Sequence, residues 1–164
     1  MKTLFLLRHA KSSWKDETLA DFERPLNRRG KHAAETMGEY LKAKAVVPEL
    51  ILCSPAVRAR ETLALVTKAA KWATEVRYDQ RIYEASGLRL AEVMAQIEND
   101  RKMVMMVGHN PGMEELLFLL TGNSETVPTG TVAKVLLKST KWATATDKRA
   151  TLDWLVKPRD LEHD

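Results

Sequence analysis

The sequence predicts a three-layer α/β sandwich around a mostly parallel central sheet, and three observations carry that prediction. Short, continuous apolar runs recur at Leu4–Leu7, Leu50–Cys53 and Met103–Val107. Each is followed by a stretch whose apolar residues step by three or four. Strand and helix periods therefore alternate almost throughout, the pattern of a sheet with helices on both faces. No repeat, low-complexity segment or interdomain linker interrupts it, so the 164 residues read as one domain, 1–164.

An unbroken apolar run marks a strand covered on both faces, which is the reading for Leu4–Leu7. A polar loop, Lys11 to Leu26, follows, and then a helix over 28–44, with Asn27 as N-cap and Ala33, Ala34, Met37, Tyr40 and Leu41 on its apolar stripe. After the second run, Ser54 is expected to cap and Pro55 to open a helix carrying Ala56, Ala59, Leu63, Val66 and Ala70. Val76–Tyr78 is a short strand, and Leu90, Val93, Met94 and Ile97 mark another helix. Pro111 opens the helix beyond the third run. Thr131–Leu137 and Thr151–Val156 form an edge hairpin, with Trp142 and Trp154 placed on these late strands as structural residues, like Trp72.

Composition narrows the function classes. Hydrophobic residues make up 45% and charged residues 29%, enough for a real core. Twenty-six Lys and Arg against 22 Asp and Glu give a net charge of +4, but the basic residues are scattered, with no block of like charge. That argues against nucleic acid and for a local positive field drawing an anionic substrate. The single cysteine, Cys53, excludes an internal disulfide and points to a reducing compartment. No apolar stretch near the N-terminus is long enough for a signal segment or a membrane span, so a soluble, cytoplasmic protein is expected.

In open α/β sheets, ligands bind beyond the carboxyl ends of the strands. Arg8-His9 follows the first run, Ser54-Pro55 and then Arg58 the second, and Gly108-His109-Asn110-Pro111-Gly112 the third. Parallel strands would bring two arginines and two histidines to one sheet edge as a cationic pocket without a carboxylate of its own. A tetrahedral phosphate suits it, with helix N-termini near Pro55 and Pro111 adding N–H donors. Arg60 and Glu61 read as solvated surface groups.

These residues also carry a resemblance. Leu7-Arg8-His9-Ala10-Lys11-Ser12 resembles the Arg-His-Gly signature of the histidine phosphatase (phosphoglycerate mutase-like) superfamily, with alanine for the usual glycine. Arg24-Pro25-Leu26-Asn27-Arg28-Arg29-Gly30 is similar to its lead-in to the first helix. Ser54 to Thr62 is similar to its second-arginine motif, and Gly108 to Pro111 to its second-histidine motif. The short chain and the Arg-His-Ala-Lys-Ser-Ser-Trp opening look most like the small SixA-type phosphohistidine phosphatases, over about residues 4–137.

The resemblance implies a phosphoglycerate mutase-like fold and a metal-independent phosphohydrolase without cofactor. His9 is the nucleophile, Arg8 and Arg58 clamp the phosphoryl group, and His109 hydrogen-bonds it. Glu84 falls where the superfamily's proton-donating glutamate would lie, though it also reads as a solvated loop carboxylate; Asp21 is the reserve. Lys11, Ser12 and Trp14, on the loop leaving His9, would form a substrate-contacting rim, or Trp14 would pack beneath that loop. The expected partner is a phosphorylated protein carrying phosphohistidine, or a small phosphate ester. Three other readings remain: a broad-specificity small-molecule phosphomonoesterase, a non-catalytic phosphate-binding domain, and a metal-dependent hydrolase, although His9, His32, His109 and His163 show no short-range ligand pattern. Mutase activity is disfavoured by the short connections between motifs.

Overall fold

A computed structural model describes residues 1–162; His163 lies outside the described residues, as does the end of the expected 1–164 domain. The elements in chain order are β1 (Lys2–Arg8), α1 (Arg28–Ala43), β2 (Leu50–Cys53), α2 (Val57–Ala70), β3 (Glu75–Tyr78), α3 (Gly87–Ala95), β4 (Met103–Gly108), α4 (Gly112–Thr121), β5 (Val132–Leu137) and β6 (Thr151–Val156). One six-stranded sheet has the order β3-β2-β4-β1-β5-β6. The first four strands run parallel, β5 is antiparallel to β1, and β6 is antiparallel to β5.

The apolar runs are continuous because alternate residues serve two cores. Leu4 and Leu6, with Val104 and Met106, face Leu90, Val93, Leu116 and Leu117 of α3 and α4. Phe5 and Leu7, with Met105 and Val107, face Met37, Leu41, Leu63 and Val66 of α1 and α2. Leu4, Phe5 and Leu7 are wholly inaccessible, and truncating such a side chain to alanine typically costs about 2–5 kcal/mol. Asn27 caps α1 through its side chain, accepting from Gly30 N–H at 2.8 Å.

Two local expectations are corrected. Ser54 and Pro55 do not start α2: the chain stays extended through Ala56 (φ −56°, ψ 142°), and the helix begins at Val57. Ser54 Oγ instead accepts from Ala56 N–H at 3.2 Å. Trp142 lies not on a strand but in a 3-10 turn after β5, fully buried, with its Nε1 donating to the Arg101 carbonyl at 2.7 Å. Trp154 is on β6, packed near Phe5 and Tyr40. Among the described residues no helix is long and apolar enough to cross a membrane.

Candidate active site

Strand register places the two histidines side by side. Arg8, the last residue of β1, is paired with Gly108, the last of β4, so His9 and His109 leave neighbouring strand ends together. His9 N–H donates to the Gly108 carbonyl at 3.0 Å, and the two rings lie 5.0 Å apart between centroids. β2, on the other edge of β4, ends at Cys53 opposite Val107, so Ser54 arrives beside His109 and Arg58 follows in the first turn of α2.

The His9 ring is oriented by its own loop. Nδ1 lies 2.7 Å from the Ala10 carbonyl, which can only accept; Nδ1 therefore carries the proton and Nε2 keeps a free lone pair. Ala10 N–H donates to Thr62 Oγ1 at 2.9 Å, and the Thr62 hydroxyl donates to the Arg58 carbonyl at 2.7 Å, tying the loop to α2. Burial, reinforced by the charges of Arg58, Arg8 and Arg24 and opposed by the Ala10 bond, depresses the His9 pKa to about 4. His109 is depressed to about 3, again chiefly by burial. Its Nε2 is 2.7 Å from Ser54 Oγ, and its buried Nδ1 has no protein partner.

Three arginines, not two, surround this pair. Arg8 donates to the Val127 carbonyl at 3.0 Å. Arg58 donates to the Asp21 carbonyl at 2.7 Å and to its carboxylate at 3.0 Å. Arg24, buried, donates to Ser12 Oγ at 2.8 Å and stacks 3.4 Å from the centre of the Trp14 ring. Buried N–H groups of all three, at Nε of each and Nη1 of Arg24, lack a hydrogen-bond acceptor in the protein; Arg24 Nε comes within 3.4 Å of Asp21 without the alignment of a hydrogen bond.

The expectation of a pocket with no carboxylate is overturned. The loop carrying Asp21 folds back over the sheet edge and sets that carboxylate against Arg58, Arg24 and the Tyr83 hydroxyl. The Tyr83 hydrogen bond leads the effects that hold Asp21 below the usual carboxylate range. Burial lowers the Arg8 pKa, and the charge of a second carboxylate, Glu114, works against that shift. Glu61 is no surface group either: its carboxylate accepts from Leu26 N–H at 2.8 Å. Arg60 is exposed as expected.

Glu84 is exposed next to Tyr83, with a left-handed backbone (φ 54°). Tyr83 stands edge-on to His109, their centroids 5.5 Å apart, so Glu84 adjoins a residue of the site. Lys11 is exposed and Ser12 half-buried on the loop after His9. Trp14 is 74% exposed, so it stands on the rim and not beneath the loop. Arg24 and Tyr83 are the site residues whose place sequence reasoning missed; the sequence places Ser54 at the strand end, but as a helix cap and not as the partner of His109. Among the described residues, no three His, Cys, Asp or Glu side chains cluster as a metal site would need.

The chain is similar to several known proteins. Residues 4–116 match the family model of the histidine phosphatase superfamily (branch 1). A chloroplastic protein of Arabidopsis thaliana is 33% identical over 153 residues, 88% of this chain and 70% of its own length. A Mycobacterium tuberculosis protein is 35% identical over 73% of each chain. A crystal structure assigned to the phosphohistidine phosphatase SixA of Agrobacterium tumefaciens is 30% identical, covers 96% of this chain and 98% of its own, and superposes with a TM-score of 0.80. A SixA structure complexed with tungstate, at 21% identity, shares the fold with a TM-score of 0.85, over 98% of this chain and 99% of its own.

Proposed function

For a chain that belongs to the histidine phosphatase superfamily, branch 1, and is a phosphohydrolase, we propose a metal-independent reaction through phospho-His9, with phosphohistidine in a protein as the substrate. The observation that carries it is the lone pair on His9 Nε2, held free by the Ala10 contact, beside arginine N–H groups that no protein acceptor satisfies.

In the first step the His9 Nε2 lone pair forms a bond to phosphorus while the bond to the substrate nitrogen or oxygen breaks, and the leaving atom keeps that electron pair. Arg8, Arg24 and Arg58 spread positive charge over the phosphoryl oxygens, a role worth about 10³–10⁵ in rate. Ser54 donates to His109 Nε2, which leaves the proton on Nδ1 and lets His109 donate to a phosphoryl oxygen. Water then attacks phospho-His9, its proton passing to solvent, and phosphate leaves with the imidazole neutral again.

Asp21, held as a carboxylate by Tyr83 and Arg58, is a poor proton donor and serves to position Arg58. Glu84 is the remaining candidate acid. Its strained backbone beside Tyr83 is the kind of local cost that persists at functional sites. An imidazole leaving group takes up a proton near neutral pH, whereas an alkoxide needs one supplied. Phosphohistidine is therefore the substrate this site handles best. The rim of Lys11, Ser12 and Trp14 contacts the flanking chain. One sheet with a core on each face supports a single domain over 1–164, and the lone free Cys53 supports a cytoplasmic location.

The test is a matched panel of phosphohistidine protein, phosphohistidine peptide, sugar phosphate and p-nitrophenyl phosphate, with acid-labile phosphoenzyme trapped in parallel. Wild type prefers P–N substrates and forms the adduct; His9→Ala forms none and loses at least about 10³-fold in turnover. Equal rates on every substrate would leave the broad phosphomonoesterase. Phosphate binding without turnover would leave the non-catalytic domain.

A further inference from the structure

Beside the catalytic pocket runs a groove of about 910 Å³ whose charge the hydrolytic reaction does not use. Lys11, Arg28, Arg29, Lys157 and Arg159 line it together with His32, against one carboxylate among the described residues, Glu162. None of the five permanent cations joins an ion pair among the described residues.

The groove is joined to His9 through the backbone on either side of it. Lys11 is two residues beyond His9, and Thr129, on the opposite wall, precedes Gly130, whose N–H contacts the carbonyls of both Arg8 and His9. From there it follows α1 past Arg28, His32 and Thr36, positions four apart that span about 12 Å of helix. Ala33, Pro128, Pro158 and Leu161 supply apolar wall between the cations.

An independent observation shows that this charge runs against local stability. Arg28 and Arg29 open α1 at the positive end of its dipole, and the first turn holds no acidic residue. Cations there are unfavourable, and acidic residues would be the stabilising choice.

We propose that this groove docks an acidic stretch of the phosphorylated protein substrate, with carboxylates close in sequence to the phosphohistidine. The inference rests on the protein-substrate reading above. Five cations carried on three separate segments, at Lys11, Arg28-Arg29 and Lys157 with Arg159, match several carboxylates along a peptide better than one compact anion. The groove has no Phe, Tyr or Trp on which nucleic-acid bases would stack, so a polynucleotide is the poorer occupant.

The experiment compares phosphohistidine peptides of equal length with Glu-rich, Ser-rich or Lys-rich flanks, alongside p-nitrophenyl phosphate, on wild type and the Arg29→Glu/Arg159→Glu double variant. At low salt, wild type turns over the Glu-flanked peptide with kcat/KM about tenfold above the Ser-flanked one, mainly through KM, and the gap closes at about 1 M salt. The variant loses that advantage but stays within about twofold on the Ser-flanked peptide and on p-nitrophenyl phosphate. Its thermal midpoint does not fall, because the Arg29→Glu change relieves the charge conflict at the start of α1. Hydrolysis of all three peptides at one rate overturns the groove and leaves the phosphohistidine assignment standing. Failure of every peptide to outpace p-nitrophenyl phosphate overturns both. A single-stranded oligonucleotide that binds wild type but not the variant, with no gain from Glu flanks, also overturns the acidic-peptide assignment.

Discussion

The Tyr83 hydroxyl donates a 2.6 Å hydrogen bond to Asp21, 62 residues earlier in the chain. The same carboxylate oxygen accepts from Arg58 at 3.0 Å. The Arg58 guanidinium also lies over the Tyr83 ring, 5.9 Å from its centre, so phenol, carboxylate and guanidinium form a closed set. With Asp21 half-exposed the set adds little to stability, and its value lies in where it holds Arg58.

Tyr83→Phe removes the leading influence on Asp21. We expect its pKa to rise, the acid limb of kcat/KM to move to higher pH, and kcat/KM at neutral pH to fall a few-fold as Arg58 loses its brace. Steady-state kinetics across pH would check all three; an unmoved acid limb would separate Asp21 from the reaction.

Both buried histidines make the fold acid-sensitive. Their folded pKa values, about 4 and about 3, lie below the unfolded value near 6.5, so the unfolded chain binds more protons as pH falls. Their contribution is complete above about pH 6.5 and is lost as pH drops through the folded values. Between pH 6.5 and 5 each costs about 2 kcal/mol. Urea titrations at pH 7 and pH 5 should show that decline, reduced in His109→Asn.

Gly30 allows α1 to start against the loop that follows His9. A Cβ there would sit 2.1 Å from the Lys11 carbonyl oxygen, which also accepts from Asn27 N–H. Gly30→Ala should cost about 1–3 kcal/mol of stability. It should also lower turnover by displacing the loop that orients His9. Stability measured beside kcat would show both losses together.

Oxyanions should stabilise the free protein. Inorganic phosphate at 100 times its Kd adds about 2.7 kcal/mol. Arg24→Lys keeps the charge but gives up the planar fork and the close stacking on Trp14, so phosphate should bind several-fold more weakly. Thermal shifts against phosphate concentration read both; an unchanged Kd would remove Arg24 from the site.

The strand ends could be located in advance because β1, β2 and β4 are covered on both faces, which writes each of them as an uninterrupted apolar run. His9, Arg58 and His109 could be placed for the same reason. Arg24 and Tyr83 could not, since they arrive on irregular segments whose path is fixed only by contacts such as Arg24 with Ser12 and Tyr83 with Asp21. Glu61 shows the same limit. Helical periodicity sorts residues into those facing the sheet and those facing away, and it cannot see that the 11–26 loop returns across the outer face to be held by Glu61. The Ser54-Pro55 start failed because Ala56 is still extended, so α2 begins only at Val57.

β1 is hydrogen-bonded along both edges, to β4 and to β5, and packed on both sides. The His9 imidazole therefore stands at the tip of a strand held along both edges and on both faces. Diversification of what this scaffold dephosphorylates is thereby channelled into the peripheral loops, where changes are cheap. A laboratory library aimed at new specificities would do best to leave residues 2–9 untouched and randomise the surroundings.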